Sequence, residues 1–267
     1  MLPDLRAPVS DLLAALGEQH VVAFFLVLAR LSPLFLLAPL FSARFAPPRV
    51  RGIIAVSMAL GLAPVLSKGV VLPVDIASVF GLIIKEILIG ALYSFVLGAL
   101  YASITVAGNF LDVMIGFSFG GSVDPVNGMQ SSVLTTAYGL FAIMIFIVIG
   151  GDGWILAGLV KSYDVVGMAE LPSLALSVQG ALNAFAGIFV SALQIAGPVM
   201  LALVLTDAAF GVVSRVMPQL NVFAVGFPAK IVIGLVLVSA TLPFVGGWVA
   251  DRLQQDVGTA LHSLRVG

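Results

Sequence analysis

Apolar residues run through this chain in long, nearly uncharged stretches at 19–41, 52–66, 76–107, 128–149, 176–206 and 222–250. A helix that crosses the hydrocarbon core of a bilayer needs about 20 such residues. The stretches are separated by punctuated segments: 42–51 with Pro47 and Pro48, 67–75 with Pro73, 109–127, 150–153, 161–173 and 207–221. The pattern predicts five to seven helices, six being the most economical count. Several are not simple spans. The run 52–66 is short, 76–107 is interrupted by Lys85 and Glu86, and 176–206 is long and carries Pro198 after Gly197, where a break or kink is expected. Ahead of the first run, residues 1–18 place Leu5, Leu12, Leu13 and Leu16 among Asp4, Arg6, Asp11 and Glu18. That reads as an amphipathic lead-in helix, broken at its start by Pro3 and Pro8, and not as a cleavable leader.

Composition agrees with the pattern. Of 267 residues 61% are hydrophobic and 9% charged, whereas a soluble domain carries about 25% charged residues. So few charges cannot clothe a water-exposed sphere, so the fold class expected is all-α, a polytopic integral membrane protein in one membrane-embedded domain spanning 1–267. Twelve basic against thirteen acidic residues leave no electrostatic footprint for nucleic acid. The absence of cysteine excludes disulfides, thiolate catalysis and Cys-based metal sites. Arg44, Arg49 and Arg51 form the one basic loop, which the positive-inside rule assigns to the cytoplasm, with the N-terminus outside.

Enzymatic chemistry finds no support. There is no phosphate loop, no dinucleotide fingerprint, and His20 and His262 stand at opposite ends without carboxylates at ligand spacing. Asp112, Asp124 and Asp207 are isolated and form no catalytic pair. No cofactor and no metal is expected.

Charges within apolar runs must face protein or water. Arg30 lies inside an otherwise uncharged run; a structural ion pair is preferred over a pore lining, and the same choice covers Lys85 with Glu86. Asp207, Arg215 and Lys230 bracket a Pro/Gly-punctuated region, and the eight residues from Asp207 to Arg215 put both on one helix face. Gly90, Ser94, Gly98 and Ala102 recur at four-residue spacing, a stripe of small side chains that lets another helix of this chain, or of a subunit, come close.

Residues 114–125, MIGFSFGGSVDP, resist the helix. Gly116, Gly120 and Gly121 weaken it, and Asp124-Pro125 reads as a turn, yet Phe117 and Phe119 are too apolar for an exposed loop. At membrane depth irregular backbone survives only inside protein or along a cavity. Two readings stand: a re-entrant packing loop, or a glycine-hinged hydrophobic plug that closes a conduit.

Taken together, AFFLVLARLSPLFLLAPLF and FAPPRVR near the N-terminus, IGFSFGGSVDP and GGDGWILAGLVKSYD in the centre, and DAAFGVVSRVMPQLNVFAVGFPAK at 207–230 resemble the FliR family of flagellar export-gate proteins, related to the corresponding subunits of type III secretion injectisomes. The run RVMPQLNVFAVGFP is the most specific of these, and its GFP favours the flagellar branch over the injectisome branch.

The resemblance implies a non-enzymatic channel subunit in the bacterial inner membrane, multi-pass, at the flagellar basal body. Such a subunit assembles with FliP and FliQ; unfolded flagellar proteins pass through after delivery by FlhA, FlhB and the cytoplasmic ATPase complex. It implies a fold of kinked helical hairpins, a FliP-like part followed by a FliQ-like hairpin, here 181–250, contacting membrane lipid and raised in part above the bilayer plane. The family's plug maps onto 115–121, so Ile115, Gly116, Phe117, Phe119, Gly120 and Gly121 are the expected plug residues within the 109–127 loop, with Phe110 and Met114 flanking. The PQLN turn maps to Pro218, Gln219, Leu220 and Asn221, shaping the C-terminal hairpin. Where relatives carry Gln-Met before the plug glycine this chain has Met114-Ile115, and Asn109 stands where a glutamate is common, so a more aliphatic seal is expected. The competing reading, a small-solute secondary transporter, requires two similar halves around a midplane site, and no repeat connects the breaks near 116–125 and 197–198.

Overall fold

The computed structural model describes residues 6–38, 47–118, 132–219 and 221–264; for 6–16, 222 and 223 the backbone alone is described. Seven helices follow one another among these residues, and no strand: α1 (Arg6–Leu37), α2 (Pro48–Leu66), α3 (Ile76–Ile115), α4 (Val133–Val148), α5 (Gly151–Val165), α6 (Leu174–Val216) and α7 (Val222–Ser263). Five of them are long and apolar enough to cross a membrane. The protein is thus an all-α polytopic membrane protein.

Local chemistry explains the boundaries. α2 opens on Pro48, whose missing N–H costs nothing at a first helical position. Asp75 caps α3 by accepting the Ser78 N–H at 2.9 Å, which holds its carboxyl below the usual carboxylate range. Gly116 stops α3: its φ of 101° is open to glycine alone at low cost, and its N–H returns to the Asp112 carbonyl at 3.1 Å. Asn221 caps α7 through the Ala224 N–H at 3.1 Å. The lead-in continues into the first span without a break, with Pro8 in the first helical turn and Pro33 inside the same helix. Lys85 and Glu86 do not interrupt α3, and α6 runs as one helix through Pro198.

The chain divides into two compact units: Met1–Gly98 with Asp152–Leu182 and Asp256–Gly267, and Ala99–Gly151 with Asn183–Gln255. In the first, Leu26, Leu31 and Leu34 of α1, Ile89 and Leu97 of α3, and Ile155 and Leu159 of α5 are buried. α2 packs on α1, and its buried face is Ala55, Ala59 and Ala63, small side chains at four-residue spacing. In the second unit one core joins Ile104, Ala107, Leu111 and Ile115 of α3 to Leu134, Tyr138, Ala142 and Ile145 of α4. Ile195, Val199 and Leu203 of α6 and Val238, Val245 and Val249 of α7 complete it.

Candidate functional site

The small-residue stripe of α3 brings α1 close in the first unit. A Cβ on Gly90 would collide with the Arg30 carbonyl, and one on Gly98 would lie 3.4 Å from the Leu37 carbonyl. α1 therefore runs backbone against backbone along this part of α3, an intrachain use of the stripe. Ser94, between the two glycines, turns its hydroxyl back to the Gly90 carbonyl at 2.7 Å and offers no bulk to the neighbour.

That close approach places the Arg30 side chain, fully buried, against Glu86. The guanidinium grips the carboxylate with two donors, Nε on Oε2 and Nη2 on Oε1 at 3.0 Å. It also donates to Ser162 Oγ at 3.1 Å and the Val166 carbonyl at 3.0 Å, and stacks 3.7 Å over the Tyr163 ring. Lys85 Nζ meets Glu86 Oε1 at 2.8 Å and donates to the Gly167 and Met168 carbonyls at 3.1 and 2.6 Å. Two cations thus share one anion. The carbonyls of Val166, Gly167 and Met168, just past the C-terminal end of α5, add negative potential, as helix C-termini do. Arg30 therefore binds together three helices.

The second unit holds the start of the segment expected from sequence to form a plug. α3 remains helical to Ile115, so Phe110, Met114 and Ile115 stand on its last turns and the irregular backbone begins at Gly116, later than position 109. Phe110, Met114 and Phe117 are partly buried and pack against the unit's core; Ile115 belongs to that core. Ile115 Cδ1 and Cγ1 fill the place where a Cβ on Gly234 would come within 2.5 and 2.7 Å, and a Cβ on Gly116 would come within 2.7 Å of Phe227 Cε2. Phe119, Gly120 and Gly121 lie outside the described residues, as does Leu220.

Asp112, one turn before Gly116, reads from the sequence as an isolated carboxylate. It is buried, and it caps a helix 22 residues away: Oδ1 accepts the Leu134 N–H at 2.8 Å, and Oδ2 accepts the Thr135 N–H at 2.9 Å and its hydroxyl at 2.8 Å. These are the second and third residues of α4, whose N-cap Ser132 makes no side-chain cap of its own. Carboxylate and helix N-terminus are electrostatically matched. Gly108 lets the same helices meet, since a Cβ there would sit 2.7 Å from Thr135 Cα. The available signal was the cost of a lone carboxylate among apolar neighbours, which demands donors from somewhere.

In the C-terminal hairpin Asp207 of α6 pairs with Lys230 of α7 at 2.6 Å, Asp207 being half exposed. Arg215, on the same helix, is exposed in the last turn of α6. Pro218, Gln219 and Asn221 lie in the short connection from α6 to α7. Among the described residues no three His, Asp or Glu side chains stand together as metal ligands.

Comparison with known proteins gives this architecture its relatives. The model of the family described as bacterial export proteins, family 1, matches residues 21–255. The chain is 30% identical over 227 residues to the flagellar biosynthetic protein FliR of Escherichia coli K12, covering 83% of this chain and 85% of that protein. It is 30% identical to FliR of Bacillus subtilis 168, covering 80% and 84%, and 31% identical to the surface presentation of antigens protein SpaR of Shigella flexneri, covering 82% and 85%. This membrane-spanning chain belongs to the family of bacterial export proteins, family 1, in which its relatives include FliR and SpaR.

Proposed function

We propose that the protein is a non-enzymatic subunit of the flagellar type III protein export gate in the bacterial inner membrane. With FliP and FliQ it forms the protein-conducting channel at the flagellar basal body, through which unfolded flagellar subunits pass after delivery by FlhA and FlhB. One observation carries the reading beyond family membership. A 40-residue apolar helix ends at a positive-φ glycine, and Phe117 just beyond that glycine packs against apolar core. This is the start expected of a hydrophobic plug. Phe117 and Phe119 would supply the seal, with Gly116, Gly120 and Gly121 giving the backbone its freedom. A ring of apolar side chains opposes wetting and so excludes ions from a closed passage. Energy for transport comes from partners and the proton gradient, since the sequence carries no nucleotide-binding motif.

Co-expression with FliP and FliQ from the same organism, followed by detergent purification and native mass spectrometry, tests the assignment. One complex containing all three proteins is expected. A stable chain that never joins those partners overturns the reading. Replacing Gly120 and Gly121 by alanine is expected to reduce export, and unchanged export with unchanged ion leakage would defeat the hinge. The injectisome counterpart is the second reading, because identity to SpaR, 31%, is as high as the 30% to FliR. Restoration of motility in a strain lacking its own FliR separates the two.

A further inference from the structure

The two anchor points beside the break at Gly116 differ in kind. At Asp112 the chain is pinned to α4 by three charge-assisted hydrogen bonds within one short stretch. At Ile115 and Gly116, by contrast, it meets α7 through apolar contacts, with Phe227 on Gly116 and the face of Gly234 on Ile115. Phe227, Lys230 and Gly234 recur at three- and four-residue spacing and so share one face of α7. Lys230 ties that face to Asp207 of α6. Directional bonds hold one point in place. Dispersion contacts hold the other only while the two surfaces stay together.

We infer that this face of α7 is a seat for the hinge at Gly116, with Phe227 as its positioning residue, and that the passage opens by parting Ile115 and Gly116 from α7 while Asp112 stays bound to α4. The inference rests on the gate reading proposed above. It gives the GFP stretch at 226–228 a task within this chain: a Cβ on Gly226 would lie 3.5 Å from the Phe210 ring of α6, and Phe227 bears on the hinge. It also makes the hairpin a lever. Any partner that shifts α7 along or away from α6 acts on the hinge directly, without touching the plug.

The absence of native cysteine makes the test clean. The full chain carrying Ile115→Cys with Gly234→Cys is assembled with its partners, then oxidised with a membrane-permeant thiol oxidant. Bond formation is scored by protection from a maleimide–polyethylene glycol label. Efficient cross-linking is expected. Export should then fall at least tenfold relative to the same chain before oxidation, recovering on reduction, with the complex intact by native mass spectrometry; each single-cysteine chain should show no response to the oxidant. Continued export by the cross-linked chain overturns the inference, and so does failure of the pair to cross-link. A second measurement is ion leakage across the membrane. Phe227→Ala should raise leakage severalfold in an assembled complex and Phe227→Leu should largely restore the seal, whereas a merely structural role would change assembly and leave leakage per complex unmoved. Failure of the gate reading itself looks different: Phe117→Ala and Phe119→Ala would alter neither leakage nor export, even with the 115–234 cross-link fully formed.

Discussion

In the unit that contains α1 and α2, three charged side chains are buried together, Arg30, Lys85 and Glu86; in the unit that contains α4, one carboxylate, Asp112, is buried among backbone amides. Both arrangements join segments far apart in sequence, 56 residues between Arg30 and Glu86 and 22 between Asp112 and Leu134. They differ in what is left behind when one member is removed. In the cluster one carboxylate is shared by two cations, so losing Glu86 strands two buried positive charges. The Asp112 staple, when lost, strands N–H groups, which are dipoles and cost less. Charge–charge joints are thus brittle and charge–dipole joints forgiving. The brittle joint sits in the first unit, and the forgiving one in the second, one turn before Gly116.

Glu86→Gln should therefore have the largest effect. It keeps shape but removes the carboxylate that pairs with both Arg30 and Lys85, and about 3–5 kcal/mol is the cost of breaking one side of a buried pair. Little monodisperse protein should survive detergent extraction, as read by size-exclusion chromatography and thermal unfolding. Replacing all three charges, Arg30→Met with Lys85→Met and Glu86→Met, sharpens the comparison. It should recover most of the lost protein, because an apolar set of similar volume avoids the desolvation cost altogether. Gly90→Ala comes next. The added methyl meets the Arg30 carbonyl, and forced overpacking costs about 1–3 kcal/mol; a lower unfolding temperature in the same assay checks it. Asp112→Ala should cost about 1–3 kcal/mol through the unsatisfied Leu134 and Thr135 N–H groups, with Asp112→Asn intermediate because an amide oxygen still accepts one bond. The smallest effect belongs to Asp75. Its carboxyl titrates below the usual range, so the capping contribution is full above the ordinary carboxylate pKa of about 4 and fades as pH falls through the lower folded value. Asp75→Asn should remove that pH dependence and little else.

How much of this could be read from residues alone follows the same division. The helices were legible because runs of about 20 apolar residues have few alternatives. Their ends were less so. Hydropathy stops at 107 and 250 where α3 and α7 continue to Ile115 and Ser263, since Asp112, Asp251 and Arg252 look like exits from an apolar run although the backbone continues through them. That Arg30 needed a partner was legible from its burial cost, and that the partner is Glu86 was not, because no periodicity links positions on separate helices. The Gly90–Gly98 stripe announced a close approach without naming Arg30 and Leu37 as what approaches. Asp112 was weighed only as half of a catalytic pair, while its true partners are backbone amides, which every residue carries and no pattern marks. Buried faces were hidden for a related reason. Val113 and Leu140 are as apolar as Leu111 and Leu134, yet the first two are exposed and the last two are core. In a chain hydrophobic all round, side-chain type does not tell inside from outside.

The lengths of α3, α6 and α7 carry one more consequence. At 40, 43 and 42 residues each reaches about 60 Å, twice the roughly 30 Å of hydrocarbon a bilayer offers. A chain made alone therefore has no environment that suits it along its whole length: upright helices push apolar side chains into water, and flattened ones drag charged ends into lipid. A chain left unassembled is then expected to be a target for membrane proteases. The half-life of the newly made chain, followed by pulse-chase with its co-assembling proteins supplied in rising amounts, should lengthen in proportion to how much of it has been claimed.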